Sequence, residues 1–369
     1  MPQLNNLIEI FEQFAPPSLA EAWDNTGLQV GDPHQSVERM LVSLNASAES
    51  IREAAENKCS LLFTHHPLFF QGPTSIIAGS SQYDVLQVAF RNNISIYSAH
   101  TNLDKAGLGL NKALADFFKL KDAKPLIDDT AFIKLVFFAP SKHSQEIIGE
   151  LSAAGAGIIG DYSSCSFSSE GKGTFIPAAG AKPTVGEVGK LNRVEEERLE
   201  MLVHRSVLAK VVERLSEVHP YEEAAYDIYP LEGVKKSHLG LGRIGNLSSP
   251  RKASEIASIF QKETASGVKY SGDSNREVKR VAVMAGSGAS AIETAASKGA
   301  ELLITADVKY HEAQRAASLG LNLVVASHYA LEKLALNMVT PLLADFLKSA
   351  GYSVEVINSK KESDVWFED

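Results

Sequence analysis

Four places in this sequence group residues that can bind a metal or move a proton: His65-His66-Pro67, His100 with Asp104, Asp307 with His311, and Ser327-His328 with Glu332. Each follows a short apolar run, respectively Ser60–Thr64, Ile94–Ser98, Glu301–Thr305 and Leu321–Ala326. Imidazole and carboxylate donors without thiolate suit Zn, Mn, Fe or Ni. If Ser327 caps a helix, His328 and Glu332 share one face near its start and can converge on one ion. His100 and Asp104 repeat that spacing. Adjacent His65 and His66 diverge on an extended backbone, so they serve different ions, or one of them supports the ligand shell from outside. Several carboxylates at one site favour two ions, roughly 3.5–4 Å apart, sharing a bridging acid. Asp307 and His311 read as outer partners, substrate contacts or proton carriers.

The apolar runs are the strands that must position these groups. From Arg39 to Thr101, β-like runs alternate with helical stretches, and Ser47 is an N-cap candidate for the first helix. Continuous apolar strands alternating with helices predict an α/β fold with mainly parallel sheets, and ligands in such sheets sit outside the carboxyl ends of the strands. The pattern returns from Arg280. Advancing the numbering by 241 places Arg39 on Arg280, Ile51 on Ile292, Leu61-Leu62 on Leu302-Leu303 and Thr64 on Thr305. Further on, an advance of 228 places His100 on His328 and Asp104 on Glu332. This reads as an internal duplication, hence two similar α/β lobes.

Between them the expected order is strand, helix, two strands, helix, strand, running from Phe132-Ile-Lys-Leu-Val-Phe-Phe138 to Ala225-Tyr-Asp-Ile-Tyr229. That is the ferredoxin-like pattern. The predicted organisation is a first lobe over 1–124, an inserted ferredoxin-like domain over 125–232 and a second lobe over 233–369.

Composition narrows the chemistry. With 369 residues, 44% hydrophobic and 22% charged, the chain is an ordinary globular sequence. Thirty-six basic against 45 acidic side chains leave a net charge of −9, which argues against nucleic acid or a membrane surface as partner. With two cysteines, a disulfide framework or thiolate zinc site is excluded, so a metal must come from the ten His and the acids. No signal peptide or membrane span is visible, and the expected compartment is the cytoplasm. Trp23-Asp24-Asn25-Thr-Gly-Leu-Gln-Val-Gly31 reads as a substrate-facing loop or a structural turn. Arg243, within Gly240-Leu-Gly-Arg-Ile-Gly245, is a candidate anion contact. Gly286-Ser-Gly-Ala-Ser290 is an anion-binding helix start or a tight turn. Glu195-Glu-Glu197 reads as a solvated face.

Trp23-Asp-Asn-Thr-Gly-Leu28, Thr64-His-His-Pro67, His100-Thr-Asn-Leu-Asp104, Asp307-Val-Lys-Tyr-His311 and Ser327-His-Tyr-Ala-Leu-Glu332 together resemble the Ngg-interacting-factor-three-like family, the GTP cyclohydrolase I type 2 homologues. The central Gly173-Thr-Phe-Ile-Pro177 and His219-Pro-Tyr-Glu-Glu-Ala224 look like the CutA-like (PII-like) insert of its longer members. The resemblance implies a toroidal homohexamer with two divalent ions per subunit. It implies His65, His66, Asp104, His328 and Glu332 as ligands, with Glu332 bridging, and His100, Asp307 and His311 lining the site as catalytic candidates. Asp24, Asn25 and Arg243 are the substrate-binding candidates. The implied activity is metal-assisted hydrolysis of GTP or another small molecule. The competing reading is a non-catalytic regulatory protein whose insert binds a small molecule or partner.

Overall fold

Leu61–Thr64 and Ser95–Ser98 are buried at every position, which requires cover on both faces of the sheet they form. In the computed structural model, which describes residues 1–128, 132–159, 162–231 and 239–366, that cover comes from helices packed between and around two sheets. The first half runs α1 (Leu4–Phe14), β1 (Gly27–Val30), β2 (Arg39–Ser43), α2 (Ala48–Glu56), β3 (Leu61–Thr64), α3 (Ser81–Asn92), β4 (Ser95–Ser98), α4 (Thr101–Lys105), α5 (Leu110–Phe117) and β5 (Lys121–Asp128). The central segment follows as β6 (Phe132–Ala139), α6 (Ser141–Ala153), β7 (Ser166–Phe175), β8 (Asn192–His204), α7 (Leu208–Val218) and β9 (Tyr226–Pro230). The second half runs β10 (Gly240–Lys252), α8 (Ala253–Thr264), β11 (Val268–Ser271), β12 (Glu277–Ser287), α9 (Ile292–Ser297), β13 (Leu302–Ala306), α10 (Tyr310–Ser318), β14 (Asn322–Ala326), α11 (His328–Ser349) and β15 (Glu355–Asn358). No helix among the described residues is long and apolar enough to cross a membrane.

The chain divides into two compact units, Met1–Asp129 with Ser237–Asp369, and Thr130–Lys236. The boundary read at 124/125 falls inside β5, and the one at 232/233 lies outside the described residues. In the larger unit one sheet has the order β1-β4-β3-β2-β15 and the other β11-β14-β13-β12-β10-β5. The two sheets share a parallel heart. Met40 pairs with Leu61 and Leu61 with Ser95, while Val281 pairs with Leu302 and Leu302 with Asn322. This register reproduces the offset of 241 for the first two strands.

The second sheet departs from the mainly parallel expectation. β11, β10 and β5 all pair antiparallel, so only β12, β13 and β14 run in parallel. The reason is connectivity: β5 ends the first half yet adds to the second sheet through β10, while β15 ends the second half yet pairs in parallel with β2. The two halves also share one hydrophobic core, in which Phe11, Phe63 and Tyr97 meet with centroids 5.1–5.7 Å apart and Phe14 meets Phe346 of α11 at 5.4 Å. The two halves are one compact unit.

The smaller unit has its own core, with Ile133, Leu135 and Phe137 of β6 packed on Ile147 and Leu151 of α6 and on Val211 and Leu215 of α7. Its antiparallel sheet has the order β7-β8-β6-β9, the ferredoxin-like arrangement. First and last strands lie side by side, which brings the ends of the unit together for insertion into a loop.

Candidate metal centre

All the candidate residues of the site belong to the larger unit. β3 ends at Thr64, and its continuation is held against β2 by His65 N–H to Ser43 O and His66 N–H to Leu44 O. The Thr64 hydroxyl donates to His66 O, which turns the chain so that both rings face one place, 5.0 Å apart. His100 caps α4, whose first turn carries Asp104. Ser327 caps α11 by accepting from Ala330 N–H, and His328 and Glu332 lie on its opening turns. Buried Asn111 stitches the halves together at this point. Its Nδ2 donates to Asp104 O, and its Oδ1 accepts from Ala285 N–H at the end of β12.

Four imidazoles share one pattern. Each has Nδ1 engaged by an outer oxygen: His65 by Ala99 O at 3.0 Å, His66 by Asn45 Oδ1 at 2.8 Å, His100 by Asp24 Oδ1 at 2.8 Å and His328 by Asp307 Oδ2 at 2.6 Å. An Nδ1–H donated outward fixes the ring and leaves Nε2 as a lone-pair donor, the usual arrangement of a metal-ligating histidine. The ligand atoms of His65, His66 and His100 form one group within 4.8 Å of one another, and those of His66, His328 and Glu332 form a second. The two groups share His66.

The acids complete the centre. Glu332 Oε1 lies 3.0 Å from His328 Nε2, and Oε2 lies 3.1 Å from His66 Nε2. His65 Nε2 is 3.8 Å from both Asp104 Oδ1 and Glu332 Oε1, too far for a hydrogen bond. His65 Nε2, Asp104 Oδ1 and Glu332 Oε2 are buried with no hydrogen-bond partner. Three buried lone-pair atoms without a partner, all facing one centre, are costly unless a cation satisfies them. Burial holds the His65 imidazole down to about 3, so the ring is neutral and its lone pair available. Burial and the Glu332 charge push Asp104 up to about 8, the response of two acids with no positive charge between them. Glu332 is held well below the carboxylate range because the His328 and His66 imidazoles beside it outweigh its burial, and Glu332 in turn raises His328 to about 9. The residues fit divalent cations: His65, His66, His100, Asp104, His328 and Glu332 present the ligand atoms.

Gly286 completes the pocket. At φ +63° it takes a left-handed turn at the end of β12, and a Cβ there would lie 2.5 Å from Glu332 Oε1. The glycine is clearance for the acid rather than an anion cradle. Residue type and spacing mark neither Asn45 nor Gly286 as a partner of the ligands. The available signal is the duplication itself, because an advance of 241 places Asn45 on Gly286 and His66 on Asp307.

The three substrate-binding candidates all bond within the chain. The Asp24 side chain is fully buried and spent on His100 Nδ1 and on the Thr101 N–H and hydroxyl, which hold it down to about 2 against its burial. It orients His100. Asn25 Nδ2 donates to Phe69 O at 2.6 Å, which fixes the loop. Arg243 is buried and donates to the carbonyls of Gly240, Gly242 and Ala106, so it braces backbone. Asp307, left-handed at φ +52°, holds His328. His311 is exposed at the start of α10, its ring against Tyr310, with no polar contact to the cluster.

The family model described as Duf34/NIF3 (NGG1p interacting factor 3) matches residues 2–364. A Bacillus subtilis protein named GTP cyclohydrolase 1 type 2 homolog is 37% identical over 361 residues, spanning 97% of this chain and 96% of its own. A Mycobacterium tuberculosis protein of the same name is 34% identical over 89% of this chain and 88% of its own. Among solved structures, a Bacillus cereus protein related to NIF3 superposes with TM-score 0.72 at 35% identity, covering 100% of this chain and 99% of that one. A Staphylococcus aureus protein superposes with TM-score 0.76 at 25% identity, with the same coverage.

Proposed function

The chain belongs to the Duf34/NIF3 family, and from that premise we propose that it holds two divalent cations at the His/Asp/Glu cluster and hydrolyses a small-molecule substrate there. The observation that carries this reading is the set of buried, partnerless atoms on His65, Asp104 and Glu332, ringed by imidazoles whose other nitrogens are tied outward. His65, His100 and Asp104 would serve one cation, His328 the other, and Glu332 and His66 stand between the two groups. A divalent cation at such a site supplies Lewis acidity and a hydrolytic nucleophile at neutral pH. The chain's own part is orientation. Asp24 and Asp307 fix His100 and His328, and the Nδ1 proton of each of these rings is held at a carboxylate rather than released into the site.

The relatives' printed name directs the substrate toward GTP and similar nucleotides. Family resemblance also supports a toroidal homohexamer acting in the cytoplasm, and the β7-β8-β6-β9 order supports reading the smaller unit as a CutA-like module. The test is metal content by elemental analysis, wild type against Glu332→Ala, followed by a formate-release assay with GTP. Two ions per subunit in wild type, lost in the variant, are expected. An unchanged metal load in the variant overturns the bridging role, and full metal without turnover overturns hydrolysis of GTP. A second reading, a metal-holding regulatory protein, is favoured by a cavity in the smaller unit.

A further inference from the structure

That cavity, about 460 Å³, lies wholly within the smaller unit and plays no part in the metal chemistry. It forms where the two central motifs meet: the end of β7 with the connection 176–191 on one side, and the segment 219–225 that enters β9 on the other. The walls are crosslinked. Lys182 N–H donates to Glu222 Oε2 at 2.9 Å, the Thr184 hydroxyl to Pro220 O at 2.8 Å, and Gly189 N–H to Pro177 O at 2.9 Å. Buried His219 ties the floor, Nε2 to Phe138 O at 2.9 Å and Nδ1 accepting from Tyr221 N–H at 3.1 Å. A cavity held by such bonds on both sides needs little ordering to take a ligand.

Its chemistry is selective. Phe138, Phe175, Pro177, Pro183, Val185 and Tyr221 make an apolar, aromatic surface, and the charged side chains of the lining are all acids: Glu196, Glu222 and Glu223. Among the described residues the lining holds no Lys, Arg or His, so a phosphate or nucleotide would find no counter-charge there. None of the three acids is ion-paired among the described residues, although neighbouring Glu195 and Glu187 are paired with Lys172 and Lys190. Glu196 sits in the middle of the run read as a solvated face. Strand alternation on β8 sends it to the side opposite Glu195 and Glu197, where it lines the cavity together with Tyr221, and burial and then the Glu196 charge push the Tyr221 hydroxyl up to about 12. Diagonally across the pair, Gly173 of β7 leaves room, since a Cβ there would lie 2.1 Å from Glu196 Oε2.

We propose that this cavity binds an organic cation with an aromatic or apolar body, its ammonium group meeting Glu196 and its body lying against Phe138, Phe175 and Tyr221. Aromatic faces beside a carboxylate are the usual receptor for such a cation.

The test is calorimetric titration of the full-length protein with 2-phenylethylammonium and with 2-phenylethanol, its uncharged counterpart, before and after metal removal by chelator. The amine is expected to bind at least about ten-fold more tightly than the alcohol, the yield of one charge-assisted contact. Chelation leaves that preference intact, so failure of the metal reading does not carry over. Glu196→Gln is expected to remove the preference while leaving alcohol binding unchanged. Tyr221→Phe, which keeps the ring and drops the hydroxyl, is expected to reduce amine binding and serves if Glu196→Gln does not fold. Absence of amine binding, equal binding of amine and alcohol, or a preference that survives both substitutions overturns the proposal.

Discussion

Asn45 and Gly286 occupy matching positions in the two halves and serve the same centre in opposite ways. Asn45 supplies an oxygen that turns His66, while Gly286 supplies an absence, room for the Glu332 carboxylate. His66 and Asp307 are another such pair, one presenting its ring to the centre and the other holding His328 from outside. Residue types and spacing made the donors legible in the sequence. They offered Asp307 as an outer partner but could not disclose Asn45, because an Asn after a strand has many uses and only the folded geometry aims it at Nδ1. Asn45→Ala is expected to weaken metal binding about 10–100-fold, measured by competition with a chromophoric chelator; unchanged affinity would show that His66 needs no outer partner. Gly286→Ala is expected to lose metal and about 1 kcal/mol or more of stability. Gly320→Ala is the control: at φ +73°, with no heavy atom within 4 Å of a Cβ, it bears the backbone strain but keeps its metal.

The elements show a slip that sequence matching conceals. The strand register pairs Ser95 and Asn322 with equivalent residues of β3 and β13, which makes Ser327, not His328, the counterpart of His100. Both counterparts cap the helix that follows. Asp104 and Glu332 thus sit one residue apart in helix position, and the similarity at an advance of 228 follows ligand chemistry rather than backbone. The segment after β15 clamps these same junctions. The Glu362 carboxylate accepts from Leu44 N–H, Asn45 N–H, Asn45 Nδ2 and Lys333 Nζ, and Asp364 accepts from the Ser327 hydroxyl. Glu362→Ala leaves buried donors unpaired and is expected to cost about 1–3 kcal/mol in chemical unfolding. Glu53 of α2 anchors the start of the same segment. Burial raises its pKa, but bonds from the Ser359 hydroxyl and the Lys360 and Lys361 N–H groups outweigh that and leave it lowered. A lowered carboxyl stabilises the fold above its unfolded pKa, about 4.3, and that contribution is lost as pH falls through the folded value. Wild type should therefore lose more stability than Glu53→Gln between about pH 6 and pH 3. Parallel slopes in the two melting series would remove Glu53 from the acid transition.

At the scale of the whole larger unit, duplication suggests that each half can stand alone, and the strand exchange says otherwise. Periodicity identifies a strand but not its neighbour, so β5 and β15 read as the ends of their own lobes when each completes the other half's sheet. Without the second half, β2 loses β15 from one edge and β5 has no β10 to pair with. α1, β2 and α5 would also expose the faces that meet α11 and β12 in the shared core. Large buried side chains such as Phe11 and Phe63 contribute about 1.5–3 kcal/mol each through burial, a sum no surface contact within a half replaces. Fragment 1–128 is therefore expected to show no cooperative thermal transition by circular dichroism. Mixed with fragment 237–369, it is expected to regain a single transition and, with it, metal binding, because His65, His66, His100 and Asp104 come from one fragment and His328 and Glu332 from the other. Two independent transitions in the mixture, or a cooperative melt of either fragment alone, would mean that each half carries its own core and that the exchanged strands are dispensable.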